Sequence, residues 1–224
     1  MTNLSNIAPP KTPQQARGIR NTLIGIGCVM TLFMTMFIYK IQSTRILSDG
    51  ELQANRAIVF NQPRIIKPFQ LRDHHNKPFE LTDIQGKWSL MYFGFTHCPD
   101  ICPTTLADLN RMMGMLEDEY AEQVQVTLVS LDPARDTPEV LAQYVPYFNP
   151  SFIGVTGEFI NIMQLTQNVN VAFNKISQGD DSYTIDHSSY LVLVNPRGHY
   201  HGFFKPPFEP TTLKLTLQSI ISSY

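Results

Sequence analysis

Cys98 and Cys102 stand four positions apart, each followed by a proline, where the apolar run Met91-Tyr-Phe-Gly-Phe95 gives way to Thr96-His97. Thiolates held this close either exchange disulfides or bind a soft metal ion. Three chemistries therefore compete for the pair. A structural disulfide suits an oxidising compartment, although a short loop between prolines is an odd place for a staple. A redox dithiol is the second, but the common redox motif has two residues between its cysteines and here there are three (Pro99, Asp100, Ile101). The third is copper. Two thiolates are a soft pair suited to Cu(I), and one imidazole would complete a three-coordinate shell that also accepts Cu(II). Spacing alone does not choose among them.

A copper site of this kind needs a histidine, and the chain has six. His187 lies just before the apolar run at 190–194; on position alone, ligand and ordinary loop residue both stay open. His97 adjoins Cys98, but neighbours on an extended strand end point opposite ways, which favours a surface role. His199 and His201 share one face of an expected strand and read as surface decoration. His74 and His75 read as loop residues with adventitious metal affinity at most. Asp186 could orient the His187 imidazole or cap a turn. Asp132 and Asp136 read as caps and loop braces, with a role behind the cysteines left open for Asp132. Met112, Met113 and Met115 fall at apolar helical spacing, and Met30, Met34 and Met36 in an uncharged segment, so core or lipid contact accounts for all six.

The elements that must position these residues follow from pattern. Residues 88–95 read as a central strand, because a strand covered on both faces is continuously hydrophobic. Pro103 fits the first position of a helix over 104–120, whose apolar stripe is Leu106, Leu109, Met112, Met113 and Leu116. The thiols would then sit on a strand-to-helix turn, where the helix dipole favours thiolate. Downstream come a strand at 124–131, a helix at 138–148 capped by Thr137, a short strand at 152–155 and a helix at 158–168. A strand at 169–176, an exposed loop at 177–182, strands at 190–194 and 199–204 and a last helix at 211–222 complete the order. Upstream, two short strands near 69–71 and 78–81 flank a turn-rich loop. The alternation predicts an α/β sheet with helices on both faces. A cysteine pair closing its first central strand predicts a thioredoxin-like fold. Such folds usually carry a cis-proline beside the cysteine turn; here no proline precedes Tyr190, and His187 lies in that neighbourhood.

At 224 residues, 43% hydrophobic and net charge −2, the chain has room for one domain plus appendages. No basic stripe with interleaved aromatics points to nucleic acid, and three cysteines are too few for a disulfide scaffold. Residues 22–39 are uncharged and would make roughly 27 Å of helix, close to the bilayer core. No small-x-small cleavage site follows at Lys40-Ile-Gln-Ser43, which favours an uncleaved anchor over a signal peptide. Lys11, Arg17 and Arg20, with no acid among them, keep the head cytoplasmic. Everything after Lys40 would then lie in the periplasm, anchored in a bacterial inner membrane; a mitochondrial intermembrane placement is the alternative, although the short head does not resemble an Arg- and Ser-rich transit peptide. The expected organisation is a polar head at 1–21, a transmembrane anchor at 22–39, a linker at 40–64 and a domain at 65–224. Cys28, inside the anchor, reads as a small apolar filler.

Three stretches together resemble the Sco/SenC copper chaperones. They are Phe93-Gly-Phe-Thr-His-Cys-Pro-Asp-Ile-Cys-Pro-Thr-Thr-Leu106, Leu131-Asp-Pro-Ala-Arg-Asp-Thr-Pro138, and Asp186-His187-Ser188 ahead of Tyr190-Leu191 and Asn195-Pro196. The similarity spans residues 65–222, and a single N-terminal anchor is typical of these proteins. One departure is the Asp73-His-His-Asn76 loop, where relatives tend to carry a glycine turn. The resemblance implies a thioredoxin-like fold and one copper ion, Cu(I) or Cu(II), bound by Cys98, Cys102 and His187. It further implies a part in building the dinuclear copper site of cytochrome c oxidase, by delivering copper or by reducing that site's cysteines. The implied partners are the oxidase subunit carrying that site, other copper carriers and thiol reductants. Two rival readings are a membrane-tethered thiol–disulfide oxidoreductase, with Cys98 and Cys102 as redox pair and His187 as pKa modulator, and a redox or copper sensor.

Overall fold

The uncharged run near the N terminus lies within a single helix, α1 (Pro13–Gln42), with a proline at its first position. The structure is a computed structural model and describes residues 13–42, 45–179 and 182–224. Among them Arg17–Phe37 is the one helical stretch long and apolar enough to cross a membrane. It begins earlier than the expected 22–39, because the helix takes in Arg17 and Arg20. Its leucines, methionines and phenylalanines are exposed. The expected polar head lies mostly outside the described residues.

The second unit, Ile46–Tyr224, opens with α2 (Asp49–Ala54), β1 (Ala57–Ile65), β2 (Gln70–Asp73) and β3 (Pro78–Glu80). Next, β4 (Trp88–Gly94) leads to α3 (Ile101–Met113) and the single turn α4 (Asp118–Ala121). Two further strand–helix pairs follow: β5 (Val124–Ser130) with α5 (Pro138–Phe148), and β6 (Ile153–Thr156) with α6 (Phe159–Asn168). The chain closes with β7 (Phe173–Gly179), β8 (Ser182–His187), β9 (Leu191–Val194), β10 (His199–Phe204) and α7 (Pro210–Ser222). Eight strands form one sheet in the order β1-β10-β9-β4-β5-β6-β2-β3. β4, β5 and β6 run parallel, as their helical crossovers require, and the flanking pairs are antiparallel. All seven residues of β4 are buried, so both faces of the sheet are covered there. This is the thioredoxin-like α/β class that the strand and cysteine pattern predicts.

Three local expectations need correction. The stretch expected as a linker, 40–64, contains α2 and most of β1, so ordered structure starts well before residue 65. Pro63 disguised the strand. It is tolerated because β1 is an edge strand whose register shifts between Val59 and Arg64. Second, α3 begins at Ile101, so Pro103 is its third residue and Cys102 lies on the helix; it ends at Gly114 instead of reaching 120. Third, the loop expected at 177–182 is the far end of a hairpin: β7 pairs antiparallel with β8 as a separate two-stranded sheet. Residues 180–181 lie outside the described residues. The Asp73–Asn76 loop, read in sequence as turn-rich and departing from relatives' glycine turn, closes without glycine. Asn76 takes φ +60°, and the Asp73 carboxylate accepts the His75 and Lys77 amides at 2.9 and 2.8 Å.

Candidate metal centre

β4 ends at Gly94, and the chain reaches α3 through a tight turn in which the Cys98 amide donates to the Phe95 carbonyl (3.3 Å). Helix N-termini leave amides without intrahelical partners. One of them, the Cys102 N–H, donates to Cys98 Sγ at 3.4 Å. Both cysteines are free thiols and buried, Cys102 completely. Gly94 is required by this packing: a Cβ there would lie 2.9 Å from Cys102 Sγ and 3.0 Å from Tyr92 Cε1. The Tyr92 hydroxyl donates to Cys102 Sγ at 3.7 Å. Burial pushes the Cys102 thiol up to about 12, with the Phe95 backbone N–H opposing it weakly. Desolvation at Cys102 thus works against the helix terminus, which favours thiolate.

The histidine arrives from the other side of the chain. His187 closes β8, and its Nε2 lies 3.9 Å from Cys102 Sγ. Its Nδ1 faces the Ser188 carbonyl at 3.2 Å. A proton on Nδ1 satisfies that carbonyl and leaves the Nε2 lone pair directed at the sulfur. Tyr92 and Phe95 meet the imidazole edge-on, with ring centroids 6.2 and 6.1 Å away. Burial in this aromatic frame lowers the His187 pKa and keeps the ring neutral, the form that binds a metal. Two ligands of one soft ion, at about 2.3 Å for sulfur and about 2.0 Å for nitrogen, sit roughly 3.5–4 Å apart. The Cys102–His187 pair has that separation. Among the described residues, no three His, Cys, Asp or Glu side chains are already gathered into a metal cluster. Cys98 Sγ sits against the Cys102 amide, one helix turn away in sequence.

The other candidates separate clearly. His97 is exposed, hydrogen-bonded to the Thr96 hydroxyl at 3.0 Å. Asp186 is exposed; the imidazole is partnered by the Ser188 carbonyl instead. Asp132 and Asp136 are buried braces. His74 and His201 are more buried than in the sequence reading, which made His74 a loop residue and His201 surface decoration. His74 is buried, with Nδ1 accepting the Gly154 amide at 2.9 Å. His201 is buried edge-on to Trp88 at 5.0 Å, and its pKa is lowered by that burial. The sequence reading assigned no site role to Tyr92 or Ser188. The one available signal was a tyrosine inside a largely apolar buried strand, since a buried phenol hydroxyl needs a partner.

Residues 60–222 match the SCO1/SenC family. The chain belongs to that family. A Stutzerimonas stutzeri protein provisionally named copper-binding is 36% identical over 171 residues, covering 76% of this chain and 83% of its own. Saccharomyces cerevisiae SCO1, a mitochondrial protein, is 32% identical over 182 residues. The match takes in 78% of this chain but 61% of that longer relative. The crystal structure of yeast Sco1 with copper bound superposes with a TM-score of 0.67 at 32% identity, over 72% of this chain and 91% of that one. The SCO1/SenC match takes in β1 from Phe60, which agrees with the early start of the sheet.

Proposed function

We propose that this chain is a membrane-anchored copper carrier that holds one copper ion through Cys98, Cys102 and His187 and serves the dinuclear copper site of cytochrome c oxidase. One observation carries the reading: a neutral imidazole nitrogen facing a buried thiol across 3.9 Å, with the other ring nitrogen engaged by a carbonyl. Two sulfurs and one imidazole are the donor set that accepts both Cu(I) and Cu(II). Membership of a family that includes copper-bound yeast Sco1 supports the choice of metal. Binding requires both thiols reduced, so copper and a Cys98–Cys102 disulfide are mutually exclusive states. Pro99, Asp100 and Ile101 are exposed beside the pair, which lets thiolates of a partner protein approach for ligand exchange. The head at 1–21 would be cytoplasmic, the span would cross a bacterial inner membrane, and the domain would face the periplasm.

The test is a titration of the full chain in detergent micelles with Cu(II). One equivalent should produce a thiolate-to-copper charge-transfer band that disappears in Cys98→Ser and in Cys102→Ser. His187→Ala should weaken binding by about 10-fold or more and remove the histidine nitrogen coupling from the spin-resonance spectrum. Unchanged copper affinity in His187→Ala, together with a collapsed rate of thiol–disulfide exchange, would transfer the pair to the oxidoreductase reading.

A further inference from the structure

The stretch Leu131–Pro138, one of three that carry the family resemblance, supplies no ligand. Its side chains nevertheless reach both halves of the centre. Asp136, fully buried, accepts the Thr96 amide at 2.9 Å and the Thr96 and Ser130 hydroxyls at 2.6 Å each. It thereby fixes the backbone two residues before Cys98. Asp132, also buried, accepts the Tyr183 hydroxyl at 2.8 Å and the Arg135 Nε–H. The Arg135 guanidinium lies 3.8 Å from the Tyr183 ring centroid, and its Nη1 donates to the Tyr183 carbonyl at 3.3 Å. The same guanidinium is 5.9 Å from the Phe95 ring, which borders His187.

Tyr183 and His187 lie on one strand, four residues apart and so on the same face. Their hairpin shares no ladder with the eight-stranded sheet. His187 reaches the sheet through residues 188–190, which lead into β9 beside β4; side-chain contacts add the placement of the hairpin's face against the thiols. We infer that the 132–136 loop is the jig of the metal centre: Asp136 holds the cysteine turn, while Asp132 and Arg135, through Tyr183, hold the histidine strand in register with it. These are positioning residues, acting through His187 and the turn. The inference rests on the copper reading above.

The experiment is a double-mutant cycle on the full chain in detergent, loaded with one equivalent of Cu(II). Tyr183→Phe keeps the ring and removes the bond to Asp132; Arg135→Lys keeps the charge and removes the fork. Each is measured alone and combined with His187→Ala. Alone, each should raise the copper dissociation constant about 10-fold and weaken the nitrogen coupling while retaining the thiolate band. In the His187→Ala background, each should change the constant by less than about twofold, because a residue acting only through His187 has nothing left to lose. Tyr183→Phe is the decisive variant if Arg135→Lys does not fold. Wild-type affinity in Tyr183→Phe, or an equal loss with and without His187, overturns the jig. A wild-type protein with no thiolate-to-copper band overturns the copper reading and the jig with it.

Discussion

Cys102 must lose a proton to bind a metal, and its burial, which pushes the thiol up to about 12, makes that loss unfavourable without an ion to replace the proton. His187 contributes no proton above about pH 6.5, since burial lowers its pKa and it is already neutral. Copper affinity should therefore climb by about one log unit per pH unit on account of Cys102 between pH 7 and pH 10. Loading at pH 7.5 should release at least one proton per ion, read with a pH indicator in weak buffer. Loading without proton release would mean that Cys102 keeps its proton and is no ligand. The metal-free protein should show the opposite trend. The folded thiol titrates above its ordinary value of 9.0, so the stability gained by burying it neutral is full below about pH 9 and is lost as pH rises toward 12.

At the scale of elements, the last helix offers a cleaner electrostatic case. Pro210 opens α7, and the preceding Glu209 carboxylate accepts the Thr211 amide at 3.1 Å and the Thr212 amide and hydroxyl at 2.7 Å each. Those bonds hold its pKa at about 2. A carboxyl depressed on folding stabilises the protein above its unfolded pKa and loses that contribution as pH falls through the folded one. Glu209→Gln should thus lower the melting temperature at pH 7, and the gap to wild type should narrow steadily below about pH 4.5. A gap independent of pH would assign the loss to something other than the carboxylate cap. The same scale decides what could be read in advance. β4 was legible as a nearly continuous apolar run, β5 because it is β-branched and mostly apolar, and α5 because Thr137 and Pro138 mark its start. The β7–β8 hairpin was not. The strand expected at 169–176 overlaps the first half of β7, but six of the seven residues of β7 are exposed, so no apolar alternation carries that reading to its end or on to β8. β1 was hidden by a proline that only an edge strand tolerates. Among site residues, cysteines and histidines declare their chemistry by type. The contacts of Arg135 and Tyr183 do not, because 48 positions separate partners whose pairing depends on where a hairpin comes to rest.

At the scale of the whole molecule, the proposed anchor has an orientation that flanking charge can set. Lys11, Arg17 and Arg20 precede the apolar core of α1, and no acid accompanies them. Lys40 and Arg45 follow that core, with acids only from Asp49 onward. The flanks thus carry three cations against two, a small bias toward a cytoplasmic head under the positive-inside rule. The site argues in the same direction by a separate route. A carrier whose thiols alternate between copper-bound and disulfide states has use for an oxidising compartment, where the disulfide form can arise. Fusing a reporter that is active only outside the cytoplasm after Tyr224 should give active reporter in a bacterial host, and replacing Arg17 and Arg20 by glutamate should reduce that activity severalfold. A silent wild-type fusion, with a cytoplasmic reporter active at the same position, would place the thiols among cytoplasmic reductants. Delivery to an extracytoplasmic oxidase site would then be untenable, whatever the centre binds.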